Sequence, residues 1–371
     1  MLSRTRLLAM ARKETIQLRR DPRSLAMAFL LPVALILFFG YAITWDVKDL
    51  KLAVLDQDHS QKSRELVESF RSSGYFTVQE HLTRYGQVDE QLGRGRVAAV
   101  LVIPPDFSKN LAGGSAPVQL LLDGSDANTA TIALNYAGAI VARWSSDVLL
   151  QGRKVTPAVD PQLRIWYNPT LDSRDMIVPG LIAVIMMVIA AMLTALTVAR
   201  EWERGTMEQL AATPVHRLEV IFGKLLPYIA IGLFDVVLTA GAGVVVFGVP
   251  FRGNVLLFLG LTTFFLIGAL GLGIFISAVA RSQVLATQIA LIATFLPALL
   301  LSGFLFEIAN MPKVLQAITF LVPARYYIVV TRGIMLKGVG PETLWIQSLF
   351  MIVFAVVGIG LATRVFHKEI Q

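Results

Sequence analysis

The sequence contains no cysteine, which excludes both a disulfide framework and a thiolate metal site. Charge is scarce as well: 16% of the 371 residues are Asp, Glu, Lys or Arg, against about 25% in soluble proteins. Histidine occurs only at His59, His81, His216 and His367, too far apart in sequence for a local metal site. No H-E-x-x-H and no G-x-x-x-x-G-K-[ST] phosphate loop is present, so the chain does not bind ATP through such a loop. Asp56, Asp58 and His59 form one small polar cluster. Turn chemistry explains aspartates there as well as a cation would.

What the chain has instead is apolar length. Hydrophobic residues make up 55% of it, gathered in long uncharged runs rather than spread as a soluble core requires. The runs cover residues 25–44, 176–199, 225–251, 253–280, 282–306 and 343–363, with Asp235 the only charge inside any of them. A helix needs about 20 apolar residues to cross the hydrocarbon, and lipid-facing backbone must satisfy its own hydrogen bonds. The reading is a polytopic α-helical membrane protein of about six transmembrane helices. A seventh stretch, 314–324, is short and holds Pro323; it is read as part of an extracytoplasmic re-entrant segment over 307–338.

Net charge is +7, and topology accounts for much of it. Residues 1–24 carry Arg4, Arg6, Arg12, Lys13, Arg19, Arg20 and Arg23. With the N-terminus inside, the other inside segments add Arg200, Arg204, Arg217, Lys224, Arg281, Arg364 and Lys368, while the short outside segments hold Arg252, Lys313, Arg325, Arg332 and Lys337. Fourteen against five places both termini in the cytoplasm by the positive-inside rule, and nucleic acid is not needed as a partner. The first run exceeds the 7–15 residues of a signal-peptide core, so it is read as a span and not a cleaved leader. Residues 1–24 are read as a cytoplasmic amphipathic helix with Leu7, Ala11, Thr15 and Leu18 on one side, suited to the anionic inner leaflet. Residues 367–371 form a cytoplasmic tail.

Residues 45–175, between helices 1 and 2, have a different character, with 14 basic and 16 acidic residues. Strand patterns at 52–55, 75–78, 97–103 and 118–122 alternate with helical patterns at 61–70, 85–92, after Pro104 and Pro105, and at 127–150. Such alternation predicts an inserted α/β extracytoplasmic domain. Pro157, Pro161 and Pro169 mark the return towards residues 176–366, which hold spans two to six.

Two features carry functional weight. Asp235 is a lone carboxylate at membrane depth, where such groups face a bundle interior or a pathway; it marks a pathway or an interface. Lys224 lies eleven positions earlier, about 16 Å along a helix, too far for easy pairing. The second feature is the segment REWERGTMEQLAATPVHRLE at 200–219. Gly205 breaks the preceding helix, Thr206 fits an N-cap with Gln209 three residues on, Met207, Leu210 and Ala211 share a face, and Pro214 ends the helix. A short capped helix over 203–213 with an exposed apolar face suits docking into a partner's groove.

That segment, as ERGTMEQL followed by ATPV, resembles the cytoplasmic signature of ABC-type export permeases of the type-2, drug-efflux class. WYNPTLDSRDMIVPGLIA at 166–183, LSGFLFEIANMP at 301–312 and VPARYYIVVTRGIMLKG at 322–338 are similar to the same family in the same order. The resemblance implies a permease, not an enzyme, moving a hydrophobic or amphipathic substrate out of the cytoplasm or inner leaflet. It implies no cofactor in this chain, with ATP and Mg bound by a separate cytoplasmic ABC ATPase dimer. It further implies a second permease subunit, identical or paralogous, in a bacterial plasma membrane, and in some members a periplasmic adaptor. By that likeness, coupling to the ATPase falls to Glu203, Arg204, Gly205, Thr206, Met207, Glu208, Gln209 and Leu210. Gly232, Gly241, Gly243, Gly268, Gly271 and Gly273 allow close helix contacts, either between two such subunits or within one. Two alternatives from other classes are an ion-coupled secondary transporter using Asp235 and a membrane-anchored ligand sensor or scaffold. The first should show a hydropathy repeat and the second a cytoplasmic signalling domain; neither is visible.

Overall fold

The computed structural model describes residues 3–43, 49–149, 166–168, 172–207, 209, 212–213 and 215–365, without the side chains of residues 23, 24, 127, 128 and 149. Pro157, Pro161, Pro169, Glu208, Leu210, Ala211, Pro214 and the expected tail 367–371 lie outside the described residues. The chain divides into two units, one of Met1–Thr44 with Ile165–Gln371 and one of Trp45–Arg164. The stretch from 165 to 175, expected with the inserted domain, therefore groups with the membrane helices.

In the first unit, among the described residues, six helices are long and apolar enough to cross a membrane. They are α2 (Pro22–Ala42), α7 (Ser173–Glu203), α8 (Arg217–Phe247), α9 (Val255–Ala280), α10 (Gln283–Leu300) and α13 (Pro341–Val365), taking the intervening helices in chain order. The apolar runs 225–251 and 282–306 extend past the C-terminal ends of their helices, for local reasons. Gly248 adopts a left-handed φ of +71° and closes α8 at Phe247, the usual glycine stop. The chain after Leu300 turns irregular, with Gly303 at φ +81°.

Helix α7 is the core of this unit, buried along almost its whole length. Helix α9 lies against it through small residues: a Cβ at Gly273 would strike the Ala191 carbonyl and the Thr194 hydroxyl. Thr194 donates to the Leu270 carbonyl at 2.8 Å, and Ser277 Oγ accepts from the amides of Val198 and Ala199. On its other side α9 meets α13 backbone to backbone at Gly271 and Gly358. Gly232 faces Leu266, Gly243 faces Val178 and Gly268 faces Phe354. These glycines thus serve packing inside one subunit, which removes them as support for a second; Gly241 has open space around it.

The stretch after α10 is two short helices, α11 (Lys313–Thr319) and α12 (Pro323–Arg332), the latter running into a π-helical turn, Gly333–Lys337. They bend by 77° at the break before Pro323. Tyr327 of α12 is fully buried, stacked on Phe265 at 4.1 Å and hydrogen-bonded to Thr262. Thr331 donates to the Pro179 carbonyl, and Arg332 Nε to the Met176 carbonyl, so the bent pair is tied to the start of α7.

The second unit is a four-stranded sheet in the order β2-β1-β3-β4, with β1 (Leu50–Asp56), β2 (Phe76–His81), β3 (Ala99–Ile103) and β4 (Gln119–Leu122). Strand β1 pairs in parallel with β2 and β3, and β3 pairs antiparallel with β4. Helices α3 (Gln61–Ser72), α5 (Phe107–Ala112) and α6 (Ala127–Leu149) cover one face over Leu52, Val54, Leu66, Phe70, Leu101 and Phe107. Helix α4 (Gly86–Gly93) covers the other over Ala53, Leu55, Val88, Val100 and Val102. Because successive strand residues point to opposite faces, the uninterrupted apolar run of β3 is what a strand covered on both sides requires.

Candidate functional site

The expected coupling segment begins where α7 ends, so the last turn of α7 positions it. Arg204 caps the helix, Gly205 takes φ +67°, and the Thr206 amide and hydroxyl both donate to the Glu201 carbonyl, at 3.0 and 3.3 Å. This is a left-handed glycine closure: the Thr206 hydroxyl is spent on the preceding turn, a bond the capping-box reading did not contain. Arg204, Gly205 and Gln209 are exposed, whereas Met207 is only 7% exposed. Met207 packs into its own chain, which corrects its expected place on an exposed apolar face. Gly205, at φ +67°, reverses the chain two residues earlier, so the side chains that follow need not keep the exposed face that local spacing predicts.

The Glu203 carboxylate accepts the backbone amide of Gln283 at 2.7 Å and also its side-chain amide. Gln283 is the first residue of α10, whose free amides and dipole favour an anion there. Arg281 lies over the Trp202 ring at 4.6 Å, and Arg200 Nε donates to Gln283 Oε1 at 3.4 Å. The end of α7 therefore holds the turn between α9 and α10.

The most heavily charged part of the site joins residues that no local sequence pattern pairs. Helix α1 (Arg4–Arg19) packs on α8, with Gly223 so close that a Cβ would run into Met10 and the Leu7 carbonyl. Its buried positions are Met10, Glu14 and Leu18. The expected apolar side of Leu7, Ala11, Thr15 and Leu18 is thus rotated, and α1 has a protein partner rather than lipid alone. The cause is electrostatic. Lys224 Nζ, 1% exposed, sits 2.6 Å from Glu14 and 3.1 Å from Glu201, and Lys13 Nζ sits 2.8 Å from Glu201. Two ammonium groups and two carboxylates share one site, so the cluster is neutral overall; burying either sign alone would be costly. Arg200 pairs with Asp21 at 2.6 Å.

The start of α8 completes the arrangement. His216 and Glu219 form a reciprocal capping box, and Glu219 also accepts the Ser3 amide at 2.6 Å with Arg6 at 3.9 Å. Helix α1 is thereby fastened along its length to α7 and α8. A sequence signal existed, since Glu14, Glu201 and Lys224 are charges at positions helical spacing places on packed faces. Nothing local pairs them.

Asp235 lies on the interior stripe of α8 with Gly232, Val236 and Thr239, and is 1% exposed. Among the described residues neither carboxylate oxygen has a hydrogen-bond partner, and Lys224 is engaged by Glu14 and Glu201. Asp56 and Asp58, by contrast, are occupied by turn contacts. Asp56 accepts the Asp58 and His59 amides and the Ser63 hydroxyl. Hydrogen bonds from Ser60 and from Ser108 hold the Asp58 carboxyl below the usual carboxylate range. Among the described residues no three His, Asp or Glu side chains are grouped to hold a metal.

Comparison with known proteins adds the family context. Residues 22–364 match the family described as ABC-2 family transporter protein. The chain is 38% identical over 363 residues to the probable multidrug ABC transporter permease YbhS of Escherichia coli K12, spanning 97% of this chain and 96% of that protein. It is 30% identical over 370 residues to the probable multidrug ABC transporter permease YbhR of the same organism, spanning 99% of each. It is 29% identical over 330 residues to the inner membrane transport permease YhhJ, also of that organism, spanning 86% of this chain and 85% of that one.

Proposed function

The chain belongs to the ABC-2 family of transporter proteins, and on that premise we propose that it is the membrane-spanning permease subunit of an ATP-driven exporter in a bacterial plasma membrane. ATP and Mg are bound and used by a separate cytoplasmic ATPase dimer. A second permease subunit, a copy or a paralogue, completes the pathway, and a periplasmic adaptor joins the inserted domain. Both termini and the 203–213 segment face the cytoplasm, with the inserted domain outside, in keeping with the distribution of Lys and Arg. The relatives named as multidrug permeases support an organic cargo that is hydrophobic or amphipathic.

One observation carries the mechanistic part. The most buried helix of the membrane unit, α7, ends in the segment that resembles the family's coupling helix, and that end is bonded to α1, α8 and the start of α10. A push delivered at Gly205 is therefore passed to three other helices through Glu201, Arg200 and Glu203, not absorbed by a loose loop. In this reading Arg204, Gly205, Glu208, Gln209 and Leu210 meet the ATPase, while Glu203, Thr206 and Met207 hold the segment against its own chain.

The test replaces residues 203–210 with a flexible polar linker and measures export beside membrane insertion. Inserted but inactive protein is the expected result. Normal export with the linker would overturn the coupling assignment.

A further inference from the structure

The inserted domain holds a cleft that the coupling scheme leaves unused. Its volume is about 1300 Å³, and it opens between α3, α5 and the far half of α6. Small-molecule sites commonly measure about 300–1,000 Å³, so an organic molecule fits with room to spare. Every lining residue belongs to one compact unit, and the cleft needs nothing from the membrane helices to exist.

The chemistry of its walls is specific. Phe107 is fully buried, and Trp144 stacks on it with ring centroids 5.8 Å apart and planes 28° from parallel. Trp144 itself is only partly buried and lines the cleft beside Val141, so an indole surface is available to a ligand. Among the described lining residues the charges are Glu65, Glu68 and Asp147 against Lys62. Lys62 is held 2.7 Å from Glu65, so those two cancel. Glu68 forms an exposed ion pair with Arg71 at 3.8 Å, and Asp147, which lines the cleft, has no ion pair among the described residues. With Glu65 paired to Lys62 and Glu68 near Arg71, the carboxylate left over at the rim is Asp147, and an apolar, aromatic floor beside it attracts a positive charge attached to an apolar body. The ring quadrupole and the carboxylate act in the same direction. A neutral molecule of the same shape keeps only the apolar contribution, and an anion is repelled.

We infer that this cleft binds an amphipathic organic cation, with its apolar body against Trp144 and Val141 and its charge beside Asp147. The inference builds on the permease reading, and it adds a sign of charge to the hydrophobic or amphipathic cargo proposed above.

The test uses the full-length chain in nanodiscs and equilibrium dialysis of radiolabelled tetraphenylphosphonium, with tetraphenylborate as the anion of matching shape. Partition into lipid cancels when each variant is subtracted from the unmodified chain. Saturable binding of the cation is expected, weakened about three- to tenfold by Trp144→Ala and by Asp147→Asn, the size of one exposed cation–π or carboxylate contact. Trp144→Phe, which keeps an aromatic face, should retain affinity within about twofold. Tetraphenylborate should show no saturable difference between the unmodified chain and any variant. Equal cation affinity in all four proteins, or the same variant-dependent loss for the anion, would overturn the inference. Export by the 203–210 linker chain is measured separately. A result against coupling there leaves the binding result intact, and absence of binding leaves the coupling result intact.

Discussion

Lys224 and Glu14 are 210 positions apart in sequence, and their side chains meet at 2.6 Å with both groups almost completely buried. Glu201 closes on the same ammonium at 3.1 Å. Three helices that share no local sequence are thus joined at one neutral cluster, beside the segment proposed to receive mechanical work. Buried polar networks hold one geometry to the extent that their members are satisfied; here Glu201 Oε1 is bonded to both ammonium groups, while Glu201 Oε2 has no hydrogen-bond partner among the described residues.

Removing one member should show how far the cluster acts as a unit. Lys224→Met leaves two carboxylates buried without their shared cation and should cost about 3–5 kcal/mol. A triple change that also converts Glu14 and Glu201 to Gln should recover much of the loss. Thermal unfolding in detergent measures both. A triple variant as unstable as the sum of its parts would show that the three residues do not act as a unit.

The Gly205 prediction concerns backbone. At φ +67° a side chain is strained, and alanine should cost about 1 kcal/mol while tilting the segment that follows. Export should fall well before membrane insertion does. Asn tolerates the left-handed region better, so Gly205→Asn should retain more export than Gly205→Ala; the reverse order would exclude the backbone explanation.

Asp235 is an acid held in a packed helix interface without a hydrogen-bond partner among the described residues. Asp235→Asn, and more strongly Asp235→Leu, should raise thermal stability by about 1–3 kcal/mol. Export by the same variants should fall, since a group kept at such a cost is expected to serve the transported species. Unchanged export with higher stability would leave Asp235 without a role in transport.

Topology can be read directly because the native chain lacks cysteine. A cysteine at Ser115 should react with a membrane-impermeant maleimide in intact cells. One at Gln209 should react only after permeabilisation. Equal labelling of both before permeabilisation would overturn the orientation.

Much of this protein is legible in its sequence. Span number follows from run length against the thickness of lipid, a comparison that needs no partner residue. The strands and helices of the inserted domain were legible too, because periods of two and 3.6 are local and Pro104, Pro105 and the glycines punctuate them. The bend at Pro323 was signalled by a run too short to cross and by a residue that cannot continue a helix. Within the candidate site, Gly205 marks the break after α7.

The linear order of residues determined that this chain is a polytopic membrane protein, that about six helices are long and apolar enough to cross, and where a more polar unit interrupts them, because each of those depends on the solvent preference of consecutive residues. Only the tertiary structure decided which face of α1 is buried, that Glu203 caps α10, that Met207 turns inward, and that Gly271 meets Gly358 within one subunit. Those outcomes depend on which distant charge, amide or void each residue meets once the helices pack, and a pairing across 210 residues leaves no trace in any local window of sequence.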